Sequence, residues 1–186
     1  SDVYKRQLLR YMPKGCIFSE KGSSIFCCCS DFIWPTLALI NSQWAWFMLL
    51  LLTPSRSWEI KHVASLPYPS DAVTLVHLGV YSYEAYSLLR ELDTGNESST
   101  IFVKPLILQV THGFSPQEKP RTEHPFAENF EWGELDSLNQ VRSITGNKEM
   151  GIAELAEIAY QREQIIRNRL EQLQRLMDEE VYQLYD

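Results

Sequence analysis

The chain has 186 residues, enough for one domain or for one domain with an appendage. Its hydrophobic fraction of 45% and aromatic fraction of 12% exclude a wholly disordered chain and indicate a packed core. The net charge of −7 is unusual for an autonomous nucleic-acid-binding protein, because such proteins tend to be basic.

The charge is unevenly distributed along the chain. Residues 1–62 carry seven Lys and Arg against four Asp and Glu, a net charge of +3. Residues 63–186 carry ten basic and twenty acidic side chains, a net charge of −10. If any part of the chain contacts phosphate, the first third is therefore favoured.

The first seven residues, Ser1–Gln7, show no evident structural pattern. They resemble translated adapter sequence and are predicted to be a non-native scar. The sequence also lacks an initiating Met, and we expect a C-terminal fragment of a longer protein.

Two short β-strands are predicted over residues 15–29. Apolar pairs at 17–18 and 25–26 flank a turn at Lys21–Ser24. Cys16 and the triplet Cys27–Cys29 lack the paired spacing of a zinc site. These cysteines are predicted to be small buried hydrophobes in a reducing cytoplasm.

An apolar helix is predicted over residues 42–53. Asn41 and Ser42 can cap its first turn, and Pro54 cannot continue it. Nearly every position from Trp44 to Leu52 is apolar, which is typical of a helix that is buried on all sides or lies in lipid.

A transmembrane span is the alternative for this region. Phe32–Ser55 contains no charge and is long enough to cross a bilayer. Pro35 and the polar group Asn41–Gln43 interrupt it, however, and its flanks lack a strong Lys/Arg asymmetry. These interruptions favour a core helix.

A short, half-exposed strand is predicted over residues 58–63, where Trp58 and Ile60 alternate with Glu59 and Lys61. The Pro-Tyr-Pro sequence at 67–69 then forces an extended loop.

The rest of the chain has mainly helical patterns. Residues 71–92 predict a helix in which Gly79 is a potential break, and 93–96 predict its stop and turn. A short helix is predicted after Pro105. The final segment, Ile152–Tyr185, predicts a long amphipathic helix or a hairpin of two helices that turns near residues 161–164.

The order of the elements in Leu37–Pro69 is itself informative. An apolar helix, a Thr-Pro stop, a short alternating segment and a Leu-Pro-Tyr-Pro exit resemble the target-recognition region of large adenine-specific DNA methyltransferases. This family includes type IIG restriction–modification enzymes and BREX-type phage-defence methylases, which carry the order LLNS, apolar helix, NPT, strand and LPxP. The matching positions here are Leu39, Asn41, Ser42, Thr53, Pro54, Ile60, Leu66, Pro67 and Pro69.

Two further segments resemble the same family. Gly22–Phe26 is similar to its Gly-Ser-Ser-Ile-Phe segment, and the chain end is similar to its terminal VYxLYG, with Asp186 where Gly is usual. The matching positions at this end are Met177, Val181, Tyr182, Leu184 and Tyr185. The resemblance covers residues 22–69 and 150–186.

The patterns together predict an α+β, predominantly helical fold. A small β element with a buried helix is followed by helices and by a long C-terminal amphipathic helix or helical hairpin. The predicted divisions are a scar at 1–7, a target-recognition-like region at 8–110, a loop or linker at 111–149 and a C-terminal helical segment at 150–186.

The resemblance implies DNA target recognition by the C-terminal fragment of a site-specific adenine N6 DNA methyltransferase or restriction–modification enzyme. The implied partners are double-stranded DNA and a missing N-terminal methyltransferase domain. S-adenosylmethionine is the cofactor expected for the parent enzyme, and the cytoplasm of a bacterium or archaeon is the expected location.

The residues that carry methyl transfer are absent from this sequence. No Gly-rich loop follows a predicted strand to hold S-adenosylmethionine, and no Asn/Asp-Pro-Pro-Tyr/Phe motif is present to hold a flipped adenine. The four histidines are scattered and are predicted to be surface or packing residues. We therefore predict no catalytic, cofactor-binding or metal-binding residue in this chain.

DNA contact is predicted for two groups of residues. The turn at Lys21–Ser24 is rich in donors for phosphate or base edges, and basic side chains flank the predicted strand at 58–63. The candidate DNA-binding residues are Lys21, Gly22, Ser23, Ser24, Arg56 and Lys61.

Two other classes of function are open at this point. A membrane-associated protein would be anchored by residues 32–52, whereas a helical protein-interaction module would use residues 150–186 as a coiled coil.

Overall fold

The computed structural model describes residues 9–12, 24–53, 58–69, 72–99, 101–112, 136–146 and 149–185. A 3-10 helix at Ser30–Phe32 is followed by α1 (Ile33–Ile40), α2 (Gln43–Leu52), α3 (Ile60–Ala64), α4 (Ala72–Asp93), α5 (Leu106–His112), α6 (Asp136–Ser143) and α7 (Ile152–Tyr185). The predominantly helical fold is confirmed. None of these residues is in a β-strand, so the predicted small β element is not supported.

Two compact units make up the chain. The first contains residues 1–83 and 173–186, and the second contains residues 84–172. The core cluster of the first unit consists of Ala38, Leu39, Leu78, Met177 and Val181. Buried apolar side chains of the second unit include Leu88, Val110, Leu138, Val141 and Ile166.

The start of α2 confirms the predicted cap. Ser42 is in extended geometry, and its Oγ accepts the Ala45 N–H at 3.2 Å. This bond satisfies one of the backbone donors that the first turn of a helix leaves unpaired. α1, in which Pro35 lies in the first turn, was not predicted.

The prediction that α2 is buried on all sides is wrong. Ala45 and Leu49 are buried, whereas Phe47 and Leu51 are 58% and 63% exposed. Composition alone made the helix look fully buried, but only one of its faces packs within the described chain. No single described helix is long and apolar enough to cross a membrane, although Ser30–Ile40 and Gln43–Leu52, bent by 72°, pass that test together by length and composition.

The strand predicted at 58–63 is a correction, because Ile60–Ala64 forms α3. The Glu59 N–H donates to His62 Nδ1 at 3.1 Å, and the Glu59 carbonyl accepts the His62 N–H at 2.9 Å. This local capping outweighs the alternation of apolar and polar side chains. The other predicted strands are absent from residues 24–29, and residues 15–23 lie outside the described part.

α4 continues through Gly79, so the potential break there does not occur. A Cβ placed on Gly79 would lie 3.4 Å from the Pro35 ring, which shows how closely α4 approaches α1 at this point. The predicted stop is confirmed: Thr94 Oγ1 donates to the Glu91 carbonyl at 2.7 Å, and the Gly95 N–H donates to Leu92 at 3.0 Å.

α5 begins directly after Pro105, as predicted. α6, by contrast, lies in the 111–149 segment for which a loop or linker was predicted, while residues 113–135 of that segment are outside the described chain. α6 has only two buried side chains, Leu138 and Val141, which is too short an apolar stripe to stand out in the sequence.

α7 is one continuous helix of 34 residues, so the hairpin alternative is excluded. Most of its predicted apolar stripe is buried, although Ile152 at its start is 80% exposed. The buried members of the stripe are Ala159, Ile166, Leu170, Leu173, Met177 and Val181.

Candidate nucleic-acid interface

Two of the six predicted DNA-contact residues, Ser24 and Lys61, lie in the described part of the chain. The turn residues Lys21, Gly22 and Ser23, together with Arg56, lie outside it, and their role stays a prediction. Ser24 is half-buried at the start of an irregular segment that leads into the 3-10 helix.

Lys61 lies on α3 and is 70% exposed. Its Nζ pairs with Glu59 Oε2 at 2.9 Å, and Glu59 is 64% exposed. The hydrogen bond from Lys61, followed by its charge, holds the pKa of Glu59 below its usual range. Water and salt screen such an exposed pair strongly, so Lys61 can exchange Glu59 for a phosphate group at little cost.

The segment that carries Ser24 and the loop after α3 meet at one residue of α1, Thr36. Cys27 Sγ donates to Thr36 Oγ1 at 3.9 Å, and Thr36 Oγ1 donates to the Tyr68 hydroxyl at 3.2 Å. Burial raises the pKa of Tyr68, so its hydroxyl stays neutral near physiological pH. Thr36 thus places Ser24's segment and the exit of α3 on the same side of α1.

The predicted burial of the cysteines is wrong for two of them. Cys28 and Cys29 are exposed and Cys27 is half-buried, while Cys16 lies outside the described chain. Cys28 and Cys29 form a bend before the 3-10 helix rather than a strand with one buried face. Within the described ranges, no group of three His, Cys, Asp or Glu side chains is arranged to hold a metal ion.

Exposed aromatic side chains are the feature of this region that sequence reasoning missed. Phe26 is 75% exposed and Tyr68 is 46% exposed. Phe32, at 39%, contacts the Tyr68 ring edge-on with 6.2 Å between centroids. Aromatic residues next to the donor-rich turn were the available signal, because nucleic-acid sites often combine donors with rings that stack on bases.

Asp178 of α7 anchors the N-terminus of α2. Its Oδ1 accepts the Gln43 N–H at 2.7 Å and the Gln174 side-chain amide at 3.2 Å. The same amide group also reaches the Asn41 carbonyl at 3.4 Å. Burial raises the pKa of Asp178, although both hydrogen bonds favour the ionised form. Sequence reasoning missed this carboxylate because the bond spans 135 residues.

Tyr185 joins the chain end to the Leu-Pro-Tyr-Pro loop. Its hydroxyl donates to the Pro67 carbonyl at 2.6 Å. Its ring stacks on Trp44 of α2, with 3.9 Å between centroids and 5° between planes. One side chain therefore contacts both the apolar helix and the loop that carry the family resemblance.

The second unit contains a buried ion cluster around Glu91. Arg162 donates to Glu91 Oε1 and Arg142 donates to Oε2, the latter at 2.8 Å. The side chains of Glu91 and Arg162 are 1% and 2% exposed. Burial lowers the pKa of Arg162, while the Glu91 carboxylate opposes this change. These partners are 51 and 71 residues apart, beyond the reach of any local pattern.

A second ion pair lines a cleft in this unit. Arg169 donates to both Glu84 oxygens at 2.8 and 3.0 Å. The cleft has a volume of about 620 Å³ and lies between α4, α6 and α7. Asp136 at the start of α6 adds a further charge to its lining.

Comparison of the chain with family models, with curated proteins and with solved structures found no match in any of the three.

Proposed function

We propose that this chain is the C-terminal target-recognition part of a site-specific adenine N6 DNA methyltransferase. Methyl transfer from S-adenosylmethionine belongs, in this proposal, to a separate domain of the parent enzyme, because the motifs for cofactor and adenine are absent from the sequence. The role of the chain is to hold and read double-stranded DNA.

The contact between the two family-like segments carries the proposal. Pro67 and Tyr185 are both positions that match the family, and they are joined by the 2.6 Å hydrogen bond although 118 residues separate them. Asn41 also matches, and its carbonyl accepts a bond from Gln174 of α7. A chance resemblance in two distant segments would not require the matched positions to contact one another.

The exposed side chains of the first unit suit the proposed partner. Lys61 can contact a phosphate, and Ser24 belongs to the predicted donor-rich turn. Phe26, at 75% exposed, offers a ring for stacking on or wedging between bases. Arg56 is proposed to contact a guanine edge or the backbone.

DNA affinity tests the proposed reading surface. The combined variant Lys21→Ala, Arg56→Ala and Lys61→Ala removes three proposed contacts, and fluorescence anisotropy with a labelled duplex of mixed sequence measures the effect. Since each lost phosphate contact lowers the slope of log K against log salt by about 0.9, we expect weaker binding and a shallower slope.

A charge-matched control is Lys119→Ala, Arg121→Ala and Arg175→Ala, which removes three positive charges outside the first third. It should bind DNA nearly as well as the parent chain. Equal losses in both variants would mean that overall charge governs binding, and would contradict the proposed surface.

The assignment of chemistry has its own test. The purified chain, given labelled S-adenosylmethionine and the same duplexes, should transfer no methyl group to adenine. Labelled N6-methyladenine above the level of a protein-free reaction would contradict the placement of the catalytic residues outside this sequence.

A further inference from the structure

The cleft between α4, α6 and α7 has a charge pattern that differs from the proposed DNA surface. Residues 84–172, which form the second unit, carry fifteen acidic and nine basic side chains, a net charge of −6. The cleft lining contains the carboxylates of Glu84 and Asp136 and the guanidinium of Arg169, a net charge of −1. This balance disfavours a phosphate ligand and favours a cation.

Asp136 is the carboxylate available to such a cation. The two oxygens of Glu84 are already taken up by the bidentate bonds from Arg169. Asp136 is exposed at the first turn of α6 and has no ion-pair partner among the residues that the structure describes. An incoming ammonium or guanidinium group would therefore meet one uncompensated negative charge.

The remaining lining suits a peptide. Leu88, Val141 and Ile165 form an apolar wall that can cover the methylene stem of a long basic side chain. Side-chain amides of Gln140, Asn168 and Gln172 also line the cleft, and amides can pair with both the N–H and the C=O groups of a backbone.

Ser137 adds an independent observation. Its Oγ lines the cleft and is buried, yet it has no hydrogen-bond partner within the described structure. Buried hydroxyl groups are normally paired, so an unpaired one indicates a place for a ligand group or a water molecule.

We infer that this cleft binds an Arg or Lys side chain, with its flanking backbone, from a partner protein. Asp136 is the counter-ion, the apolar wall contacts the aliphatic stem, and the amides bind the backbone. The site is separate from the proposed DNA-reading residues, all of which belong to the first unit.

The test uses the whole chain and the probe acetyl-Leu-Arg-Leu-amide, followed by the side-chain amide signals in nitrogen-15 NMR spectra. Signals of Gln140, Asn168 and Gln172 should shift, with a Kd in about the millimolar range for so short a probe. Gln161 and Asn96, in the same unit but outside the cleft lining, should not shift.

Two comparisons make the result specific. The peptide with citrulline in place of Arg is nearly isosteric but neutral, and it should bind about fivefold more weakly or worse. Asp136→Asn should weaken binding of the Arg peptide by a similar factor, whereas Glu97→Gln, which removes an exposed carboxylate elsewhere in the unit, should change it less than about twofold.

Retained dispersion of the amide spectrum shows that Asp136→Asn is folded. Equal binding of the citrulline peptide, equal loss in the Glu97 variant, or no shift of the three cleft amides would overturn the inference. Spermidine binding as tightly as the Arg peptide would also overturn it, because the cleft would then take free polycations rather than a peptide.

Discussion

The two units differ in what their interiors contain. In the first unit the core cluster is apolar, and polar side chains at its margin bond mainly to backbone groups, as Tyr185 does to Pro67. In the second unit Glu91 and Arg162 are buried together among apolar residues. An apolar core loses free energy roughly in proportion to the volume removed, whereas a buried charge left without its partner is penalised far more sharply.

The largest expected effect lies in the ion cluster of the second unit. Glu91→Gln leaves Arg162 charged and 2% exposed, with no carboxylate to pair with. We expect a loss of roughly 3–5 kcal/mol in the free energy of unfolding, measured by urea denaturation.

The control for this variant is Glu163→Gln. It breaks the pair with Arg167, whose partners are 34% and 43% exposed, and should cost less than about 1 kcal/mol after allowance for solvent screening. Similar losses for the two variants would show that burial of the cluster does not matter.

Next in size is a paired test on α2 in the first unit. Leu49 is 1% exposed, so Leu49→Asp should cost several kcal/mol through the burial of an unpaired carboxylate. Leu51, on the same helix, is 63% exposed, and Leu51→Asp should change the unfolding free energy by less than about 1 kcal/mol. A large loss for Leu51→Asp would indicate that something covers this face in solution.

A smaller effect is expected from Asp178, and it depends on pH. Because burial raises its folded pKa above the ordinary value of 3.8, the stability it contributes is present below that value and is lost as the pH rises through the folded pKa. Asp178→Asn keeps an acceptor for the Gln43 N–H but removes the charge. We expect it to be as stable as the parent chain or more stable at neutral pH.

Denaturant unfolding across the acid range measures this difference. The advantage of Asp178→Asn should shrink as the pH falls below the folded pKa, while Glu179→Gln at the exposed neighbouring position should show no such trend. A variant that becomes relatively less stable as the pH rises would reverse the sign and show that the charge at the start of α2 stabilises the fold.

The smallest expected effect is at Tyr185. Tyr185→Phe keeps the ring on Trp44 but removes the bond to the Pro67 carbonyl, at a cost of about 0.5–1.5 kcal/mol in thermal or urea unfolding. Tyr182→Phe is the matched change at a side chain that is 46% exposed. If the two substitutions have the same effect, the link between the family-like segments contributes nothing to stability.

The same contrast explains which parts of the fold could be predicted from sequence. Ser42 as a cap, the stop after Asp93 and the stripe of α7 depend on neighbours within a few residues, and all were predicted. The error at Ile60–Ala64 arose because two turns of alternation fit a strand and a short helix equally well, and the bond between Glu59 and His62 decided between them.

The missed features depend on distant partners. Arg162 falls beside the apolar stripe of α7, and only the position of Glu91, 71 residues earlier, makes its burial understandable. In the candidate interface, Lys61 and the turn were identified from charge and donors, whereas the role proposed for Phe26 required its exposure, which spacing does not reveal.

Photocrosslinking tests the proposed DNA surface most directly. p-Benzoylphenylalanine is introduced in place of Phe26 in the first unit or, separately, in place of Tyr160 in the second; these side chains are 75% and 57% exposed. Irradiation with a labelled DNA duplex should give a covalent protein–DNA product from position 26 and little from position 160. Efficient crosslinking at position 160 with none at position 26 would contradict DNA recognition through the first unit.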